Sequence, residues 1–246
     1  MEQIERYEQG VLPARQAFAA EPAVTLIQDP GIGASHLEAF FIYYSALGVA
    51  MTKPVEGWIR RAGDACVQVG GPGVAELGAA LQKHATAEAD HHLLMVADLW
   101  RLCARREAAS QPAPNPIELL ALPWPESAKR YRQLHEDLIT GPAPYVQIAV
   151  ENEIEMLSVE LGPSLLGNAR ALLGADISGD LSFLTHHVTL DVGHTRFTRH
   201  QMKAFLAQRP DAVDALVTAG TAALEAYRAF VVDCVTLASQ VPAAAR

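Results

Sequence analysis

The sequence predicts an all-α fold, a bundle of about seven helices. Three observations carry this. Apolar residues recur at helical spacing over long stretches, and no stretch alternates as a half-buried strand would. Gly and Pro punctuate these stretches at Gly70-Gly71-Pro72-Gly73, Gly141-Pro142, Pro163, Gly174 and Pro210. Half of the 246 residues are apolar, enough to bury one sizeable core. A single domain over 1–246 is expected, with 1–34 as an N-terminal extension.

Taken in order, the first thirty or so residues are mixed in character. Pro30 and the Gly-Ile-Gly after it mark a loop. Ser35 with Glu38 three residues later has the form of a capping box, which predicts a helix over 35–68, kinked or broken at Pro54. The glycine cluster at 70–73 ends it, and a second long helix is predicted over 74–106. Residues 110–116 are a Pro-rich loop, and Pro123 and Pro125 extend the irregular region. Helical patterning resumes near Glu126 and stops at Gly141-Pro142; further helices are expected over 143–161, 164–173, 179–208 and 210–237.

Several function classes are disfavoured by composition. The formal charge of -9 lacks the cationic footprint that nucleic acid requires. The run 39–51 is too short to span a bilayer and reads as a buried helix, so no membrane partner is expected. Cys66, Cys103 and Cys234 are odd in number and widely spaced, which fits a reducing compartment, and the charged N-terminal ten residues do not read as a secretory signal. A cytoplasmic protein is the expectation.

Histidine carries the chemistry. Seven of the nine histidines fall in the windows 84–92 and 186–200. In the first, His84, Glu88 and His91 have the form HxxxExxH; in the second, His187, Asp191 and His194 have the form HxxxDxxH. On a helix, positions i, i+4 and i+7 fall within about 60° of arc, so each window presents imidazole, carboxylate and imidazole along one stripe. Met95 and Leu99 continue the first stripe, and Leu184 and Phe205 the second, which makes both stripes core-facing. A carboxylate there must be paired or metal-bound, and mixed imidazole and carboxylate donors suit iron, manganese or zinc. One such window alone is often a solvated helix face; two matched windows are harder to dismiss.

The predicted helix over 143–161 holds Glu151, Glu153, Glu155 and Glu160 among apolar residues. A carboxylate bridging two metals would come from a helix of this kind. Periodicity does not choose among the four, and Glu is common on helix surfaces.

With these residues in view, the chain resembles the haem-oxygenase-like non-haem di-iron oxidases, the iron-containing redox enzymes of that fold. The segment from Thr185-His186-His187 to His194-Thr195-Arg196 is similar to their late HxxxDxxH motif. Val150-Glu151-Asn152-Glu153-Ile154 is similar to their middle helix, which favours Glu151 over Glu155 as the ligand. Glu88-x-x-His91 is similar to the early motif of members that make terminal alkenes from fatty acids. Other members place the Glu seven residues before the His, a position held here by His84, so His84 as an added ligand and His92 in place of His91 stay open.

The resemblance implies a seven-helix haem-oxygenase-like bundle. It implies two Fe2+ ions held by Glu88, His91, Glu151, His187, Asp191 and His194, with O2 as co-substrate. Its activities are N-oxygenation, desaturation, oxidative C–C cleavage and self-modifying benzoate synthesis, mostly on amino acids, amines or fatty acids in specialised biosynthesis. A small-molecule substrate follows, and an external electron donor and a homodimer are compatible with it. Glu88, His91 and His194 are assigned to one iron, His187 and Asp191 to the other, and Glu151 to the position between.

Rival readings are a metal-independent thiaminase-like hydrolase on the same fold, a ferritin-like carboxylate protein, and a haem- or metal-carrying module using His36. The first leaves the histidine windows unexplained, and the second repeats ExxH on two helices, which this chain does not. Lys53, Arg60, Arg61, Lys83, Arg196 and Arg199 could meet a substrate carboxylate or be solvated helix surface. Phe40, Phe41, Tyr43 and Tyr44 could wall a pocket or be core. The late helix starts after a polar, glycine-bounded segment and contains Gly193, so weak anchoring without metal is expected.

Overall fold

Glycine and proline set where the helices stop. The computed structural model describes residues 2–241. Its helices are α1 (Gln3–Ala19), α2 (Pro22–Gln28), α3 (Ala34–Thr52), α4 (Val55–Val69), α5 (Val74–Ala85), α6 (His91–Ala108), α7 (Pro116–Leu120), α8 (Glu126–Thr140), α9 (Gln147–Glu160), α10 (Gly162–Leu173), α11 (Ile177–Asp180), α12 (Ser182–Gln208) and α13 (Val213–Ala238). Among the described residues there is no strand, so the all-α expectation holds.

The helix expected over 35–68 is broken at Pro54 into α3 and α4. The helix expected over 74–106 is also broken, at 86–90, between α5 and α6. Thr86 Oγ1 donates to the Lys83 carbonyl, and Asp90 takes φ +62°, a conformation Asp tolerates better than most residues. Glu88 therefore lies in a turn, and the first histidine stripe is carried by two helix ends. The capping box expected at Ser35 is not formed: α3 starts from Gly33 without a side-chain cap. Glu38 is instead buried against Arg106 of α6, Oε2 to Nη1 3.2 Å.

The first 34 residues, expected as an extension, contain α1 and α2. Helix α1 packs along α13, and α2 packs on α13 and α10. Arg15 and Tyr7 of α1 both donate to the buried Glu153 of α9, at 2.6 Å from Arg15 Nε and 2.7 Å from the Tyr7 hydroxyl. Helix α3, which carries the apolar run 39–51, is the most deeply buried, and α6, α8, α10 and α13 surround it. The segment Pro210–Ala238 is long and apolar enough to cross a membrane by length and composition; here it packs against α1, α3, α8 and α9.

Helix α12 runs unbroken for 27 residues, and its start is better held than the sequence suggests. The Asp98 carboxylate of α6 accepts the backbone N–H of Ser182 and of Phe183, each at 2.8 Å. A carboxylate there satisfies orphan donors and complements the helix dipole. The weak anchoring expected from the local sequence is offset by a residue 84 positions away.

Helices α4 and α5 cross at two glycines. A Cβ on Gly63 would lie 2.7 Å from the Gly78 carbonyl oxygen, and one on Gly78 2.7 Å from that of Gly63. Gly78→Ala should therefore destabilise the protein by about 1–3 kcal/mol through overpacking. Gly167→Ala, at an exposed position inside α10 with open space around it, should stabilise by up to about 1 kcal/mol. Thermal unfolding of the two variants checks both, at about 2–4 °C per kcal/mol. Shifts of the same sign would contradict this account of the crossing.

Candidate metal centre

The two histidine windows meet. Helix α5 delivers His84, the turn after it Glu88, α6 His91, α9 Glu155, and α12 His187, Asp191 and His194. They form two adjacent groups. Ligand atoms of His84, Glu88, Glu155 and His194 all lie within 4.8 Å of one another, as do those of Glu88, His91 and His187. Glu88 belongs to both. Its Oε1 is 3.0 Å from His194 Nδ1 and its Oε2 is 2.9 Å from His91 Nδ1, so one carboxylate faces each group with one oxygen.

Around the first group, His84 Nε2 lies 2.8 Å from Glu155 Oε1. His194 Nδ1 lies 3.3 Å from that same oxygen and 3.4 Å from Asp191 Oδ1. In the second group, His187 Nε2 lies 3.2 Å from His91 Nδ1. His187 Nδ1 donates to the Phe183 carbonyl at 2.8 Å, which leaves Nε2 free to act as a ligand. Ser158 donates to Asp191 Oδ2 and fixes that carboxylate, leaving Oδ1 toward the cluster.

Proximity here is not the same as hydrogen bonding. His84 Nε2, Glu88 Oε1, both Glu155 carboxylate oxygens, Asp191 Oδ1 and His194 Nδ1 are buried without a hydrogen-bond partner. Each such group costs roughly 1–3 kcal/mol, more if charged. Six of them from four chain segments, aimed at shared points, are what metal ligands look like before the metal is added. The donor set fits: imidazole nitrogens and carboxylate oxygens suit iron, manganese or zinc, and no thiol is near.

Charge follows the same geometry. Burial pushes the Glu88 carboxyl up, but the nearby imidazoles of His194 and His91 outweigh it and hold the group well below the usual carboxylate range. Burial would lower His194, yet Asp191, Glu155 and Glu88 around it push it up to about 12. His84 is likewise raised by Glu155 against the effect of burial. His187 goes the other way, lowered by burial.

Of the residues expected from the sequence, the structure brings Glu88, His91, His187, Asp191 and His194 together. It adds His84 and Glu155 and leaves out Glu151 and His92. His92 is half-buried on α6 and outside both groups. Glu151 lies one turn before Glu155 on α9 and belongs to neither group. It accepts from Gln147 Nε2 at 2.5 Å, and that same nitrogen is 2.8 Å from His135 Nδ1. Burial pushes Glu151 up to about 8, against the opposing pull of His84. The position between the groups, assigned to Glu151, is held by Glu88. His91 pairs with His187 rather than with His194.

Gln147, Ser158 and Asp98 carry no sequence motif. Gln147 stands four residues before Glu151, the one hint available. His36 lies apart, its Nε2 3.2 Å from the Ser239 hydroxyl. Arg60, Arg61 and Arg199 pair with Glu56, Glu136 and Glu8 on the surface.

A cavity of about 160 Å³ opens beside the cluster. Glu88, Glu155, His187 and Asp191 form one end, and Phe40, Phe41, Tyr44, Leu161 and Leu165 form much of the rest. Of the four aromatic residues at 40–44, Phe40, Phe41 and Tyr44 line it, while Tyr43 packs outside it.

Two outcomes are expected. Glu155→Ala should lose bound metal, and Glu151→Ala should keep it, measured with cobalt(II) by absorption and by elemental analysis. Because His84 and His194 hold protons above the usual imidazole range, metal must displace those protons. Loading at neutral pH should release protons into weakly buffered solution, and affinity should rise with pH.

No protein-family model matches the chain, and no curated protein matches it significantly. Among solved structures, it is similar to the crystal structure of a domain of unknown function with a heme oxygenase-like fold from Shewanella denitrificans OS217. The TM-score is 0.76 over 95% of this chain and 92% of that chain, at 13% sequence identity. That likeness is one of fold: the chain adopts a haem-oxygenase-like, all-α architecture.

Proposed function

We propose that the protein is a non-haem di-iron oxidase that uses O2 to oxidise a small metabolite. The observation that supports this best is the gathering of six buried, unpartnered atoms at the first group, with Glu88 shared between it and a second group completed by His91 and His187. His84, Glu155 and His194 would hold one iron and His91 and His187 the other. Glu88 would lie between, with Asp191 beside both groups.

Bound ferrous ions would supply the electrons that O2 activation needs. The chain's own residues do the rest. Phe183 and Ser158 orient His187 and Asp191, in the manner that tunes ligand basicity and geometry. Gln147 holds Glu151 at the cavity wall. The aromatic and aliphatic lining excludes water from the oxidation site and receives the substrate.

A thiaminase-like hydrolase needs a reactive thiol, and here Cys66, Cys103 and Cys234 are buried, raised by burial, and none lines the cavity. Anaerobic ferrous loading should give about two iron ions per chain, with O2 uptake on exposure to air. A stoichiometry near zero with helicity intact would sink the di-iron reading.

A further inference from the structure

The cavity carries a charge pattern that the metal centre does not use. Its lining includes the carboxylates Glu88, Glu151, Glu155 and Asp191 and no Lys or Arg. Lys53, Arg60, Arg61, Lys83, Arg196 and Arg199, the cations that could have met a substrate carboxylate, are all absent from the wall. Three of the four carboxylates belong to the cluster. Glu151 does not: its hydrogen-bond donor is the neutral amide of Gln147, and no cationic side chain pairs with it among the described residues.

The rest of the wall is aromatic and aliphatic. Tyr131, Phe40, Phe41, Tyr44 and Tyr227 line the same cavity as Glu151. A buried carboxylate without a counter-ion is costly. A cation seated among aromatic faces is attracted to them. With Glu88, Glu155 and Asp191 taken up by metal, Glu151 is the charged side chain left on the wall, and an anion seated beside it would be repelled. Size is bounded too: at about 160 Å³ the cavity matches apolar cavities of roughly 150 Å³ that take up benzene.

We propose that this cavity binds a small primary amine whose apolar body is about the size of a benzene ring, its ammonium paired with Glu151. The proposal rests on the metal reading at one point, that Glu88, Glu155 and Asp191 are taken up by metal. It narrows the substrate class to amines over fatty acids and other carboxylates.

Three near-isosteric probes test it: benzylamine, benzyl alcohol and benzoate, which are cationic, neutral and anionic at neutral pH. Each is titrated calorimetrically into wild-type protein and Glu151→Gln, metal-free and zinc-loaded, with zinc content measured first. In zinc-loaded wild type, benzylamine should bind at least about 10-fold more tightly than benzyl alcohol, and benzoate most weakly. Glu151→Gln should retain zinc, remove the preference for the amine, and change the affinity for the alcohol by less than about 3-fold.

Benzoate binding as tightly as benzylamine, an amine preference that survives Glu151→Gln, or no binding of any probe would each overturn the proposal. The ranking in wild type needs no variant, so poor folding of Glu151→Gln would not shield it. Absence of retained zinc would sink the metal reading while the metal-free titrations still judged the cavity. Zinc retained without an amine preference would sink this proposal alone.

Discussion

Seven titratable side chains, His84, Glu88, His91, Glu155, His187, Asp191 and His194, converge inside an apolar helical bundle. Much else in the structure answers to that constraint. An isolated charge in such a place is expensive, and the group partly neutralises itself by sharing protons, with His194 wedged among three carboxylates. Proton sharing does not satisfy the geometry, because atoms at bonding distance still lack hydrogen-bond partners. Two divalent cations would satisfy both charge and geometry. The protein carries this unsatisfied set as the cost of a preformed site.

A set of groups that repel or strand one another must be held by something else, and α6, α9 and α12, three of the four helices that supply the cluster, each have a polar clamp. Helix α6 is tied to α3 by the buried pair Arg106–Glu38. Helix α9 is tied to α1 through Glu153, which takes Arg15 and Tyr7 on the side away from the cluster. Helix α12 is held at its start by Asp98. Removing one partner of a buried pair leaves an uncompensated charge, at roughly 3–5 kcal/mol. Such clamps resist small displacements of the helices, and a ligand set is sensitive to displacements of that size.

Periodicity and punctuation made the helices legible, and residue type with spacing made five of the seven converging groups legible: Glu88, His91, His187, Asp191 and His194. What could not be read was depth and direction between segments far apart in the chain. Glu151 and Glu155 are one turn apart and face inward alike, so no local pattern separates them. The difference is set by how far α9 reaches past α5 and α12, which brings Glu155 alone to His84 and His194. The break at 86–90 was hidden for a similar reason: no Gly or Pro marks it, and Asp90 adopts an unusual φ in their absence. Asp98 as the cap of α12 is a contact across 84 residues, beyond any window of sequence. The motif for α1 was masked by its mixed polar face and by Pro13 within it.

The pair Glu151 and Glu155 also shows how one helix face serves two tasks. Both carboxylates are buried on α9, and what differs is the neighbour each meets. Glu155 meets two imidazoles, while Glu151 meets the amide of Gln147 at 2.5 Å. Gln147 is itself fixed by His135, which burial holds neutral and which stacks on Trp58 at 4.0 Å, so the position of Glu151 is set by packed aromatic rings. Residues four apart on a helix are about 5–6 Å apart at Cβ. A small molecule held by Glu151 would therefore lie within about one helical turn of Glu155. On the proposed reading, the atoms next to the amine, rather than the far end of its apolar body, would face the metal centre.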